Sequence, residues 1–252
     1  MADASSAEVL LRDVVIVGGG CYGSFYAGQL ARARRKGRVR YRRLLVVDRD
    51  PACRFAREPG AAPDRELVAR EWTDFFDEWL GAAAPSEPGE PPDAIVPSPL
   101  MPHLMYDWLA RRARVRWPGR LVERRALPLG PGTPYDVAAP DHTRYVSFAD
   151  WLCPVHCIEP AVCPVIRGPR TWEMADALEL LTARLAATTP TEGPVLFVCR
   201  HRVYGVGMFD VAAVLAGDDL VARAGTAHES VDVLVGTVSA CHGAAGLLHL
   251  GP

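Results

Sequence analysis

Lysine is almost missing from this chain: among its 28 basic residues Lys36 is the single lysine, and the rest are arginines. A GC-rich coding sequence produces that bias, which carries no functional signal by itself, although arginine is the better bidentate ligand for phosphate. An excess of one charge is missing too. The formal net charge of -2 leaves no electrostatic footprint for nucleic acid or an anionic membrane, so neither is expected as a partner. Long hydrophobic runs are absent. The longest, such as Val195 to Val198 and Val233 to Val235, have the length of strands and not of membrane helices. Residues Met1 to Glu8 are small and polar, with Asp3 and Glu8 among them, and lack the basic and apolar regions of a signal peptide. A cytoplasmic location is expected. In that compartment the seven cysteines serve as thiols, metal ligands or redox groups rather than disulfides. There is no internal repeat, G-x-S-x-G elbow, P-loop, H-E-x-x-H helix or kinase signature, which excludes the chemistries those motifs carry.

What is present is an ordinary globular composition. The 252 residues are 49% hydrophobic and 23% charged, enough for one large α/β domain covering 1–252. Asp13 to Val17 and Arg43 to Asp48 read as apolar strands, with a helix from Ser24 to Lys36 between them. Asp64 to Leu80 has the apolar spacing of a helix, as do Leu100 to Arg114 and Trp172 to Ala187. Residues 82–93 are a Pro/Gly-rich loop, and 117–140 are irregular. Val195 to Val198 and Val231 to Val238 read as further strands, and Gly207 to Leu215 as a helix. Alternating strands and helices predict a mostly parallel sheet with helices on both faces, interrupted by a Cys/Pro-rich loop insertion at 150–170.

Between the first strand and its helix lies Gly18-Gly19-Gly20-Cys21-Tyr22-Gly23, which fits G-x-G-x-x-G, and Asp48 ends the next strand. Gly18 allows a tight turn, Gly20 lets backbone approach a pyrophosphate, and Gly23 lets helix and strand pack closely. The helix then offers free N–H groups and a positive dipole end to phosphate. An S-adenosylmethionine site or an empty structural turn are the alternatives. The segment Val14 to Asp48 resembles the nucleotide-binding half of the FAD/NAD(P)-binding Rossmann-fold superfamily. The resemblance covers about the first fifth of the chain. It implies a Rossmann-like fold and an adenine dinucleotide, with Asp48 favouring NAD or FAD over NADP and Arg49 able to accommodate a 2′-phosphate.

The segment 150–170 contains Cys153, His156, Cys157 and Cys163 among four prolines from 154 to 169. Prolines stiffen such a loop and would hold thiolates in place. Cys199 and His201 follow one predicted strand, and Cys241 and His242 another. In one parallel sheet these ends share the edge that carries the glycine turn. Cys153, Cys157 and Cys163 would supply three metal ligands, with His156, Cys199, His201 or Cys241 as the fourth. The set suits tetrahedral zinc or an iron–sulfur cluster; a redox-active thiol pair and a stiff loop with free thiols are the alternatives. Arg167 and Arg170 could clamp an anion or pair with Glu173, and His103 near Asp107 could act as a general base.

Two functions follow as expectations. One is an oxidoreductase or electron-transfer subunit that binds FAD or NAD(P), carries a cysteine-ligated metal or cluster, and meets a small-molecule substrate or a redox partner protein. The other is a non-catalytic NAD(H)-binding regulatory or assembly subunit with a structural zinc. No catalytic residue is assigned.

Overall fold

A computed structural model of the chain describes residues 7–58, 65–83, 89–154 and 157–252. The chain divides into two compact units, Met1–Met101 with Arg200–Ala212 and Pro102–Cys199 with Ala213–Pro252. In chain order the elements up to residue 101 are β1 (Val9–Leu10), β2 (Asp13–Val17), α1 (Cys21–Arg35), β3 (Val39–Arg40), β4 (Arg43–Asp48), α2 (Arg54–Arg57), β5 (Arg65–Ala69), α3 (Trp72–Gly81) and β6 (Ala94–Val96). Then come α4 (Leu104–Arg116), β7 (Val122–Arg125), β8 (Tyr135–Ala138), β9 (Arg144–Ser147), β10 (Val162–Cys163), β11 (Gly168–Pro169), α5 (Met174–Ala186) and β12 (Thr191–Val198). The chain closes with β13 (Arg200–Val203), β14 (Val206–Asp210), α6 (Val211–Ala227), β15 (Val231–Val238) and β16 (His242–Leu250).

The first unit is built on a six-stranded sheet in the order β13-β14-β6-β2-β4-β5. The strands β6, β2, β4 and β5 are parallel, with Val15 opposite both Leu45 and Ile95. All five residues of β2 are buried, which is why its sequence is an unbroken apolar run and not an alternation. On one face Val14, Ile16, Leu44 and Val46 pack with Ala27, Leu30 and Ala33 of α1. The chain moves from β2 through α1 to β4 and β5, then returns through α3 to β6 on the other side of β2. The strand order therefore reverses beside β2, where open parallel sheets form a crevice at their carboxyl ends.

At the opposite, amino edge Asp13 is 2% exposed. It accepts two hydrogen bonds from Arg42, at 2.8 and 2.8 Å, and two from Arg43, at 3.2 and 2.5 Å. Burial pushes its carboxyl up, but the two guanidinium groups outweigh burial and hold it below its ordinary value. A depressed folded pKa means that this stabilisation is fully present above about pH 4, the unfolded value, and is lost as pH falls through the folded value. Asp13→Asn should therefore lower stability at pH 7 by about 2 kcal/mol, discounted for the half-exposed arginines. Urea denaturation between pH 7 and 3 should show the difference from wild type shrinking at the acid end; a constant difference would contradict the assignment.

The second unit carries its own six-stranded sheet, β12-β15-β16-β9-β8, with β7 also paired to β16. Only β12 and β15 run parallel. β15 and β16 form an antiparallel hairpin from Val231↔Leu250 to Val238↔Gly243. Helix α5 presents Met174, Leu178, Leu181 and Leu185 to a core that includes Val146, Leu234, Val238 and Leu247.

These sheets overturn the expected fold class. The chain does not form a mostly parallel, Rossmann-like sheet with helices on both faces; it has one mixed sheet with an antiparallel hairpin, β13–β14, at its edge, and a second sheet that is mainly antiparallel. The cause is pairing that a periodicity reading does not see. Val231 to Val238 is a strand, but its longest partner is the following segment, reached through a tight turn that allows only the antiparallel sense. Three local readings change as well. Arg65–Ala69 is a strand paired with β4, so the helix read from Asp64 begins at Trp72. Val206–Asp210 is a strand, and the helix read from Gly207 begins at Val211. The irregular stretch after Trp117 supplies β7 and β8. Of the two loops, 84–88 and 155–156 lie outside the described residues, and 150–170 otherwise contains only the two-residue pair β10–β11. Among the described residues no helix is long and apolar enough to cross a membrane.

Candidate functional site

The glycine turn sits at the carboxyl edge of the parallel strands of the first unit. Gly18 has φ of +86°, a left-handed conformation that glycine adopts without penalty. Its N–H bonds Val47 O at 2.8 Å, and Phe55 N–H bonds Gly19 O at 2.9 Å. A Cβ on Gly23 would lie 1.7 Å from Gly18 O, so helix and turn meet at backbone contact there. A Cβ on Gly19 would lie 2.4 Å from Cys53 Sγ. A Cβ on Gly20 would meet nothing within 4 Å. Gly20 is the N-cap of α1, which has no side-chain cap and no acidic residue in its first turn. The first turn of a 15-residue helix thus has no side-chain cap, beside an open backbone position, the local arrangement that can receive an anion.

Asp48 ends β4. Its Oδ2 accepts from Gly19 N–H at 2.7 Å and its Oδ1 from Asp50 N–H at 2.9 Å. The carboxylate locks the turn, and each oxygen keeps a further lone pair for a hydroxyl. Arg49 is exposed and lies 3.8 Å from Glu71. Cys21 and Tyr22 are exposed at the start of α1. Three neighbours went unread in the sequence. Cys53 is buried against Gly19, Trp72 donates its indole N–H to Val47 O at 2.8 Å, and Ser98, just past β6, is buried with its hydroxyl accepting from Leu100 N–H at 3.3 Å. No motif marks them; only the strand order does.

The cysteine candidates do not share the edge that a single sheet would have given them. Cys21 and His201 belong to the first unit, with His201 on β13, whereas Cys153, Cys157, Cys163, Cys199 and Cys241 belong to the second. His156 lies outside the described residues. Within the second unit the organising residue is Glu159, which the sequence reading left without a role. Its φ of 52° is left-handed, unusual for a non-glycine residue. Its side chain is 6% exposed. The carboxylate accepts from Ser239 Oγ at 2.6 Å, Ala240 N at 2.9 Å and Cys241 N at 3.3 Å, and His242 Nδ1 stands 3.6 Å away. One carboxylate therefore fastens the cysteine loop to the β15–β16 turn.

Burial pushes the Cys199 thiol up to about 12 and the Cys241 thiol up to about 11. Burial, then Cys157 and Cys163, also raise Cys153. Arg170 bonds Trp172 O at 2.7 Å and pairs with Glu173, and Arg167 is exposed. Among the described residues no group of three or more His, Cys, Asp or Glu is already arranged around a metal position. A separate small cavity is lined by His103, Tyr106, Arg124, Thr143, Gly236 and Gly246 among others. His103 Nε2 is 3.2 Å from Tyr145 Oη, and burial, then Arg124, lower its pKa.

Fold and site together define a two-unit protein of mixed and antiparallel sheets with helices, whose first unit presents an open glycine turn at the carboxyl edge of parallel strands. Residues 105–251 match the family model AF_1314_C, described as "Uncharacterized protein, C-terminal domain". The match spans more than half of the chain, and the chain belongs to that family. No curated protein and no solved structure matches it.

Proposed function

We propose that the chain is a dinucleotide-binding oxidoreductase or electron-transfer subunit that holds the diphosphate of FAD or NAD(P) at the glycine turn. The observation that carries this reading is the combination at Gly20: open space over its backbone, next to the uncapped N-terminus of α1. Asp48 supports the reading, because a ribose hydroxyl can share oxygens that already bond backbone N–H groups. The bound group would supply hydride or electron transfer, and the protein would supply binding and orientation.

Gly20→Val tests it. A valine Cβ meets nothing, so the fold should survive while the branched side chain fills the space that a phosphate needs. Loss of two charge-assisted N–H bonds should weaken binding about 100-fold. Titration of full-length protein with FAD, NADH and NADPH, followed by fluorescence, reads the effect against an unchanged circular dichroism spectrum. Wild-type protein that binds none of them, or binds S-adenosylmethionine in their place, would overturn the reading; so would equal affinity in the variant.

A further inference from the structure

The formal net charge of -2 is a sum of unlike parts. From Arg32 to Arg43 the chain places eight basic residues and no acid, while the remainder carries 20 basic and 30 acidic residues. The fold gathers this segment at the amino edge of the first unit. Arg32, Arg34 and Arg35 occupy the last turn of α1, and Lys36 is its C-cap. After Gly37, Arg38, Arg40 and Arg42 alternate with Val39 and Tyr41, which are 1% and 3% exposed. The small apolar pair turns inward and the arginines take the solvent side; of the eight cations only Arg38 is half-buried, and the others are exposed. Local contacts fix several of these side chains. Arg34 lies over the Tyr41 ring at 4.7 Å and Arg32 over Tyr204 at 5.4 Å, Arg40 pairs with Glu8 at 3.1 Å, and Arg42 and Arg43 hold Asp13. A helix C-terminus favours a cation in its last turn, but every further like charge beside it is repulsive. Packing gives no reason to crowd exposed Arg35 and Lys36 against the arginines that follow.

We propose that this basic ridge, from the last turn of α1 to the start of β4, binds the phosphate backbone of double-stranded nucleic acid without regard to sequence. The overall charge balance, which gave no footprint for such a partner, conceals a local one. Clustered cations displace the counterions condensed on a duplex, and that release drives sequence-independent binding. The exposed large side chains of the ridge are all cations, so it offers contacts to phosphates and no reader of base edges. Three other partners fit less well. A protein interface needs apolar or aromatic anchors in a desolvated centre, and a membrane surface site needs apolar side chains to insert. Residues 32–43 expose none, and Leu10, exposed on β1 opposite Arg40, is a single side chain. Single strands are held by stacking their bases on exposed aromatics, whereas Tyr41 is buried and the Tyr204 ring lies under Arg32. The ridge is at the amino edge of the parallel strands and the glycine turn at their carboxyl edge, so the proposal does not depend on a dinucleotide.

The test titrates the full chain into fluorescently labelled DNA and RNA duplexes of two unrelated sequences and follows anisotropy between about 50 and 200 mM salt. Both sequences should bind equally, and the logarithm of affinity should fall against that of salt with a slope of about -3 or steeper, the mark of three or more neutralised phosphates. The double variant Arg35→Gln, Lys36→Gln should weaken binding by at least about tenfold at the lower salt and flatten the slope by about 2. Arg184→Gln, at an exposed position of α5 in the second unit, should leave both unchanged. Wild-type protein gives an independent reading. Lys36 is the single lysine of the chain, so bound duplex should shield it from acetylation, read by mass spectrometry against the N-terminal amine. Absence of duplex binding at the lower salt, full affinity in the double variant, or unshielded Lys36 would each overturn the assignment. So would tighter binding to a single strand, to an acidic peptide or to phosphatidylserine vesicles than to the duplexes.

Discussion

Gly23→Ala is expected to disrupt the first unit, although it adds one methyl group to a helix and raises helix propensity. The new carbon would lie 1.7 Å from Gly18 O, 2.9 Å from Gly18 C and 3.4 Å from Ile16 Cγ2. The first two are backbone atoms of the glycine turn, so no rotamer change relieves the clash. Either α1 moves off the sheet, uncovering the face where Ala27, Leu30 and Ala33 are fully buried, or the turn opens and loses its Gly18–Val47 and Gly19–Asp48 bonds. Overpacking of this kind belongs to the small class of substitutions that cost at least about 3 kcal/mol. The control lies in the same helix. Gly28 is exposed, and a Cβ there meets nothing within 4 Å, so Gly28→Ala should stabilise by about 0.5–1 kcal/mol. Denaturant titration of the two variants, with hydrogen exchange at Val14 to Val17, separates them. A Gly23→Ala protein as stable as Gly28→Ala would mean that helix and turn do not approach as described. Nucleotide titration then tells a lost scaffold from a lost site, because Gly20→Val should lose the site alone.

The contrast between Gly23 and Gly20 also marks how far the sequence could be read. An apolar run, a glycine pattern and a closing acid are local signals, and Val14 to Asp48 folds as those signals dictate. The helices α1, α4 and α5 were legible for the same reason, since each buries a stripe set by its own periodicity. The second sheet was not legible. His242–Leu250 reads His-Gly-Ala-Ala-Gly-Leu-Leu-His-Leu, a composition with little intrinsic strand preference. It becomes a strand because β15, β9 and β7 all pair with it, so context decides over propensity. Cys199 and His201 show the same limit at a site. They are two residues apart, yet the chain passes from one unit to the other between them, whereas the expected single parallel sheet put both beside one edge as alternative fourth ligands. Glu159 was visible as an acid between cysteines; nothing local announced that its carboxylate would be buried under the turn at 239–241. Residues that act through long-range bonds were missed, and residues that act through their immediate neighbours were found.

Arg120 belongs to the first of these groups, and Arg120→Ala should be the most destabilising single change in the second unit. Its guanidinium donates to Gly251 O at 2.8 Å, His228 O at 3.1 Å, Glu229 O at 2.7 Å and Leu250 O at 3.4 Å, and also to Gly225 O. These carbonyls come from the last turn of α6, the connection to β15 and the end of β16. One side chain therefore satisfies a helix C-terminus that would otherwise leave acceptors unpaired and ties it to the end of the central strand of its sheet. The guanidinium also lies over the Trp117 ring at 5.4 Å, and that ring packs where a Cβ on Gly225 would stand, 2.4 Å from Trp117 Cη2. Truncation to alanine strands several partly buried carbonyls at once and removes the cation from the indole. Charged hydrogen bonds contribute about 1.5–3 kcal/mol each but not additively, because three acceptors share one nitrogen, so the expected loss is about 3–5 kcal/mol. Lysine keeps the charge without the planar fork and reaches fewer carbonyls; Arg120→Lys should recover less than half of the loss. Urea denaturation of wild type and both variants checks the order, and hydrogen exchange at Leu247 to Leu250 locates the damage. A cost below about 1 kcal/mol for Arg120→Ala would show that water replaces the guanidinium at these carbonyls, and that the junction of α6 and β16 is held by packing alone.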